Sequence, residues 1–146
     1  MRYASVLLLA AGIFAAAPAF AQSESPSYDK GSVWDFGQIK TVDGHFDDYM
    51  KWLSGPWQEQ QEALKKAGYI VSYKVLVVAD PRKEEPDLIL ATEYANMAAF
   101  DRSTKDEYQL QEKIWGSLSK ASQEQAARSA IRTVQGGMLT REAILK

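Results

Sequence analysis

The chain has 146 residues, a formal net charge of −2, one histidine and no cysteine. A chain of this size forms one domain that can bury a hydrophobic core without the help of disulfide bonds. The absence of cysteine excludes disulfides, thiol catalysis and cysteine-ligated zinc or iron–sulfur sites. The slightly acidic balance argues against a nucleic-acid partner, because such partners require a basic face.

Residues 1–21 are typical of a cleavable signal peptide. Arg2 supplies the positive start, Val6 to Phe14 is apolar, and Ala19-Phe20-Ala21 is a small-x-small cleavage sequence. The apolar stretch is shorter than the roughly 20 residues that a membrane-spanning helix needs. We therefore expect a periplasmic or secreted protein, cleaved after Ala21 and without a membrane anchor.

Residues 22–31 are rich in serine and predict a flexible N-terminal arm, so the domain is expected to cover residues 32–146. Val33 to Lys40 predicts the first strand, with aromatic residues on one parity. Both boundaries are expectations from composition and alternation.

From His45 to Ala67, apolar residues recur every three or four positions, which predicts a helix. Gly55-Pro56 lies inside this pattern and predicts a kink or a break. Asp43 is the expected N-cap of the helix, and Gly68 is its expected C-terminal cap.

Tyr69 to Ala79 and Asp87 to Ala95 predict two strands joined as a hairpin. The second half of the first of these strands is apolar on both parities, which predicts burial on both faces. Further along, side chains suited to capping predict three helix starts, at Asn96, at Thr104 with Glu107, and at Ser122 with Gln125. Gly136-Gly137 predicts a break before a last strand from Met138 to Leu145.

The predicted order of elements is β-α-β-β-α-(α)-β, which is the α+β ferredoxin-like pattern. It predicts a four-stranded antiparallel sheet with helices on one face. The other face must then be covered, and a second copy of the chain in a symmetric dimer would cover it.

Several strings of the chain resemble the dimeric α/β barrel superfamily, and within it a set of small exported bacterial proteins without assigned activity. They are Tyr49-x-x-Trp52-Leu53, Trp57, Lys65-Lys66-Ala67-Gly68, Ser72 to Leu76, and Glu93-Tyr94-x-Asn96 to Phe100. The resemblance implies a homodimer in which two sheets pack face to face. Haem-binding members of the superfamily use a histidine ligand on the helix that follows the third strand. The corresponding stretch here, Met97 to Leu118, has no histidine, so the resemblance does not extend to a haem site.

His45, the only histidine, is a candidate general base or lone metal ligand, or else a surface residue in the first turn of a helix. At helical spacing it shares one flank with Tyr49 and Trp52, a pair that forms either a pocket wall or the edge of the helix–sheet interface. The strand aromatics are candidates for a ligand cleft, or else core and dimer-seam residues, namely Trp34, Phe36, Tyr73 and Tyr94. We expect no metal and no cofactor.

Three functions are consistent with these residues. The first is binding of a small apolar or aromatic ligand between sheet and helices, by Trp34, His45, Tyr49, Trp52, Tyr73 and Tyr94. The second is a cofactor-independent monooxygenase or isomerase in which His45 and a pocket tyrosine transfer protons. The third is a module that binds another envelope protein.

Overall fold

A computed structural model describes residues 25–146, so the predicted signal peptide and its cleavage site lie outside the described residues. In chain order the elements are β1 (Tyr28–Thr41), α1 (Phe46–Trp52), a π-helical segment (Leu53–Trp57), α2 (Gln58–Lys66), β2 (Ser72–Val77), β3 (Leu88–Tyr94), a 3₁₀ turn (Met97–Phe100), α3 (Thr104–Trp115), α4 (Leu118–Arg128) and β4 (Arg132–Leu145).

The strands form one four-stranded sheet in the order β2-β3-β1-β4, and every neighbouring pair is antiparallel. This order, combined with the βαββαβ succession of elements, is the ferredoxin-like arrangement. The predicted α+β fold class is therefore confirmed. The predicted hairpin is also confirmed, since β2 pairs directly with β3.

The hydrophobic core lies between the centre of the sheet and the first helical stretch. Ile39 of β1 and Leu88 of β3 contact the helical residues, which are Tyr49, Leu53 and Trp57. The helical spacing of four residues between successive members of this trio places them on one face. Burying such large side chains stabilises the fold by about 1.5–3 kcal/mol each.

Gly55-Pro56 disturbs the first helix without ending it. The chain passes through the π-helical segment and continues directly into α2. Pro56 lies within the segment and has no N–H to donate, and π-bulges accommodate such interruptions. Trp57, the last residue of the segment, is buried.

Of the two caps predicted for this helical stretch, only the C-terminal one is present. Asp43 is not the N-cap, because the helix starts after His45, which makes no side-chain capping bond. Gly68 is the C-terminal cap as predicted, with φ of 77°. Its N–H donates to the Lys65 carbonyl and the Tyr69 N–H donates to the Leu64 carbonyl, both at 3.0 Å. This is a Schellman motif, which requires the left-handed conformation that glycine adopts readily.

Two of the three later helix starts were predicted at the wrong residue. The predicted Asn96 cap is present, and its side chain accepts from the Ala98 N–H at 2.9 Å. α3 is capped by Ser103 rather than Thr104, through a reciprocal pair of bonds with Asp106. α4 is capped by Ser117 rather than Ser122, because Gly116 ends α3 with φ of 81° and a new helix begins at once.

The outer strand β4 is longer than predicted. Gly136 and Gly137 do not break it; they pair with Gln38 and Gly37 of β1. The register shifts between Gln38 and Ile39, as expected where glycine marks a bulge in a strand. At the other end Tyr28 pairs with Leu145, so residues 28–31 of the predicted arm belong to the sheet.

Asp87 fixes the hairpin loop to the end of β1. Its carboxylate accepts from the Thr41 hydroxyl at 2.6 Å and from the Thr41 N–H at 3.0 Å. Its own N–H donates to the Ile39 carbonyl at 3.0 Å. Because Thr41 is buried, its polar groups depend on this carboxylate for hydrogen bonds.

We expect Asp87→Ala to lower the free energy of unfolding by about 1–3 kcal/mol, because it leaves the buried Thr41 groups without a partner. Urea denaturation measures this change. Asp80→Ala, in the same loop and at an exposed position, is the matched control. Equal unfolding midpoints for the two variants would contradict the role of Asp87.

Candidate functional site

A cleft of about 440 Å³ lies between the helix-facing side of the sheet and the helices. Its sheet side consists of Ile39, Leu90, Val134 and Arg132. The first helical stretch supplies Tyr49, Trp52, Trp57, Gln60 and Gln61, and the α3–α4 pair supplies Gln111, Trp115, Ala121, Ser122, Gln125 and Arg128. Each structural layer of the domain therefore contributes to the lining.

Aromatic rings form one wall of the cleft. Tyr49 and Trp52 stack with their ring centroids 5.6 Å apart and their planes 13° apart. Tyr49 is only 1% exposed, whereas Trp52 is partly exposed. The partly exposed Trp52 ring is therefore the part of this wall that a ligand can contact.

Two arginines stand over this wall. The Arg128 guanidinium lies 4.4 Å from the centroid of the Trp52 ring and 5.6 Å from that of Trp115. The Arg132 guanidinium lies 5.6 Å from the centroid of Tyr49. Arg128 is only 9% exposed, and burial, together with the charge of Arg132, lowers its pKa. A buried arginine nevertheless stays protonated near neutral pH.

Several buried polar atoms of the cleft make no hydrogen bond to any residue in the range 25–146. They are Nε and Nη1 of Arg128, Nε of Arg132, Nε1 of Trp52 and Oε1 of Gln61. Buried polar groups are satisfied in more than nine of ten cases, by protein, water or ligand. Five such atoms in one lining therefore distinguish this cleft from the rest of the core.

Tyr49 is a hydrogen-bond donor rather than a base. Burial raises the pKa of its hydroxyl, although the charges of Arg132 and Arg128 partly oppose this rise. The phenol therefore stays protonated at neutral pH.

The structure places the six predicted site residues in different regions. Tyr49 and Trp52 line the cleft together, as their helical spacing predicts. His45 does not line it; its side chain is 43% exposed and Nδ1 lies 3.0 Å from Oδ2 of Asp48. Its position is that of a surface residue at the start of α1.

The three strand aromatics also lie elsewhere. Trp34 has the opposite parity to Ile39, so it lies on the open face of the sheet, stacked with Phe36. Tyr73 packs edge-on against Trp57 and donates to Glu62 at 2.6 Å, beside a smaller pocket of about 240 Å³. Tyr94 packs against Phe100 and is absent from the lining. Of the six predicted residues, the structure brings only Tyr49 and Trp52 into the lining of this cleft. Strand alternation turns Trp34 to the opposite face of the sheet.

Arg128, Arg132 and Trp115 were not predicted as site residues. A basic residue in the last turn of a helix is usually an exposed partner of the helix dipole. Arg128 occupies that position yet is the buried residue of α4. Its spacing of four residues from Arg132 was the one sign in the sequence that the two arginines lie together. Because the chain turns from α4 into β4 between them, the common direction of their side chains could not be predicted from that spacing.

A second groove of about 440 Å³ lies outside α2, against α3 and α4. Its apolar lining includes Ala63, Leu64 and Ile114, and its charged rim carries both signs, with Glu59, Lys113, Lys120 and Glu124. None of its lining residues carries one of the buried polar atoms without a hydrogen-bond partner that characterise the cleft.

The described part of the chain contains neither a candidate metal-binding cluster nor a candidate membrane-spanning helix. Between residues 25 and 146, no group of three or more His, Asp or Glu side chains is arranged to hold a metal ion. Within the same range, no helix is both long enough and apolar enough to cross a membrane.

No protein-family model matches the chain, and no curated protein matches it significantly. Solved structures share its fold. HapK from Hahella chejuensis matches with a TM-score of 0.52 and 14% identity, over 75% of this chain and 91% of HapK. Protein SO0527 from Shewanella oneidensis matches with a TM-score of 0.50 and 9% identity, over 80% of this chain and 96% of its own.

A dimeric ferredoxin-like protein from an uncultured marine organism matches with a TM-score of 0.48 and 11% identity, over 81% of this chain and 90% of that protein. Together with the observed strand order, the first two matches define the class of the domain as ferredoxin-like α+β. The fold implied by the sequence resemblance is thus confirmed.

Asp35 is a further titratable group on the helix-facing side of β1. Burial raises the pKa of its carboxyl from 3.8. Nearby, burial and the charge of Asp35 raise the pKa of Tyr94, and Arg102 opposes this rise. A raised carboxyl pKa means that the folded state holds the proton more tightly than the unfolded state, so stability is lost as pH rises above 3.8.

We expect Asp35→Asn to raise the melting temperature at neutral pH, because the amide cannot acquire the buried negative charge. The gain should shrink towards zero as pH falls below 3.8, where the wild-type carboxyl is protonated in both states. Thermal melts at several pH values measure this, with the exposed Asp43→Asn as control. A gain that is independent of pH would contradict the assignment to charge.

Proposed function

We propose that this protein binds a small, flat aromatic or apolar molecule in the cleft between the sheet and the helices. The observation that carries the proposal is the stacked Tyr49–Trp52 wall in a lining that also holds unpartnered buried polar atoms. Apolar walls with a few convergent polar groups are typical of ligand sites. The volume of about 440 Å³ lies within the usual range of roughly 300–1,000 Å³ for such sites.

A binding role has more support than a catalytic one. A general base must come within hydrogen-bond reach of the proton it removes. His45 is not part of the cleft lining, and its nearest acidic partner is the surface residue Asp48. The raised pKa of Tyr49 favours a hydroxyl that donates a hydrogen bond to a ligand. The oxygenase alternative would therefore need an acid–base group other than His45.

We also propose that the mature protein is exported and begins at Gln22. The support is the sequence of residues 1–21, with its positive start, apolar stretch and small-x-small cleavage sequence.

We further propose that a second copy of the chain covers the open face of the sheet. Strand parity places Trp34, Phe36, Ile89, Leu76 and Met138 on this face, opposite the helices. Leu76 is 42% exposed and Met138 is 51% exposed in the single chain. Apolar residues spread over all four strands of one face are typical of a surface that packs against another protein. A self-complementary contact between two such sheets would also explain the apolar double parity of β2.

For the cleft, we expect Ala121→Phe to weaken binding of naphthamide, a neutral aromatic probe, by at least about tenfold, because the added ring fills space beside Trp52 and Trp115. Titration followed by tryptophan fluorescence measures the affinity, since both tryptophans line the cleft. Ala63→Phe, which faces only the outer groove, is the control and should bind like the wild type. Equal weakening by both variants would contradict the assignment to the cleft.

For the open face, we expect Phe36→Glu to convert a dimer of the described domain into a monomer, because each interface would then bury two uncompensated charges. Sedimentation velocity measures the mass. Tyr108→Glu, at an exposed position on α3, is the control and should leave the dimer intact. A monomeric wild type at micromolar concentration would refute the pairing.

A further inference from the structure

We propose that the molecule bound in the cleft is an anion, specifically an aromatic carboxylate whose charged group contacts Arg128 and Arg132. The inference rests on the proposed binding function and defines its ligand class. It is carried by the charge balance of the lining, by the positions of the two guanidinium groups and by their unpartnered donors.

The charge balance of the cleft differs from that of the whole chain. The chain has a net charge of −2, yet the cleft lining contains two arginines and no aspartate or glutamate. Each of the four ion pairs found among the described residues involves other side chains. Removing a charged group from water is costly unless a partner of opposite charge replaces the water.

Glu124, one turn earlier on α4, is the carboxylate whose charge acts on Arg128. Its charge raises the Arg128 pKa, but less than burial and Arg132 lower it. Glu124 lines the outer groove rather than the cleft, and it forms no ion pair with Arg128 in the part of the chain that the structure describes. Within residues 25–146, the excess positive charge of the cleft therefore has no counterion in an ion pair.

The geometry favours an anion that carries a flat ring. Arg128 lies over Trp52 and Arg132 lies over Tyr49, and these two rings stack on each other. Both guanidinium groups therefore stand over the same pair of stacked rings. A carboxylate can accept hydrogen bonds from the edges of guanidinium groups, including the free Nε and Nη1 positions of Arg128. An attached ring can then pack against the aromatic residues of the lining.

The first experiment compares two probes of equal shape, naphthoate and naphthamide, by isothermal titration calorimetry with the mature protein. The two differ in charge at one group. We expect naphthoate to bind at least about tenfold more tightly, because hydrogen bonds between two charged groups are stronger than those to a neutral amide. The preference should persist at moderate salt, since a nine-tenths buried arginine is weakly screened.

The second experiment removes each charge and keeps the volume. Arg128→Met should weaken naphthoate binding at least about tenfold and leave naphthamide within about twofold. Arg132→Met should do the same and provides a second, independent variant. Arg141→Met, an exposed position on the same strand as Arg132, is the matched control and should leave both affinities unchanged. Without a probe, Arg128→Met should melt at the same temperature as wild type or higher, because it removes an uncompensated buried charge.

The outcomes separate the two proposals. Equal affinity of the wild type for both probes would overturn the anion inference and leave cleft binding intact. Binding of neither probe would overturn cleft binding and the inference with it. Tight naphthoate binding that survives in both arginine variants would show that the charge is recognised elsewhere, and would overturn the inference alone.

Discussion

The contact between the first helical stretch and the central strands determines where the rest of the molecule lies. Leu53 and Trp57 pack on Ile39 and Leu88, and Tyr49 completes this core from one turn earlier. The π-helical segment around Pro56 continues directly into α2, and Trp57 at its end belongs to the same core. The same contact fixes the direction of Trp52, which stacks on Tyr49 at the edge of the core and faces the cleft. Core packing and the aromatic wall of the cleft thus share one helix.

The second helical layer is attached differently. α3 has no fully buried residue, and the buried residue of α4 is Arg128 rather than an apolar side chain. Arginine has a long aliphatic stem and a charged guanidinium group. Arg128 can therefore pack on Trp52 while its N–H donors still require hydrogen-bond partners. Arg128 brings polar donors into the layer between the helices and the sheet.

The two faces of the sheet have separate roles. The helix-facing parity holds Ile39 and Leu90 and contributes to both core and cleft. The opposite parity holds Trp34 and Phe36, which stack on each other, with Lys74 over the Trp34 ring. A partner on this face would stabilise the sheet without touching the cleft. Ligand binding and self-association are therefore expected to be separable by mutation.

Local patterns in the sequence predicted the order of the elements, and with it the class of fold and the hairpin. They also predicted the Asn96 and Gly68 caps and the adjacency of Tyr49 and Trp52, because each of these features depends on residues within a few positions of one another. Strand pairing decided the rest. Residues 28–31 and the Gly136-Gly137 pair joined the sheet because distant strands offered them hydrogen bonds, which composition cannot reveal. Likewise, only the turn from α4 into β4 brought Arg128 and Arg132 over the aromatic wall. The burial of a charged side chain is decided by what packs around it, and those neighbours are distant in sequence. Trp52 precedes Arg128 by 76 residues, and Tyr49 precedes Arg132 by 83.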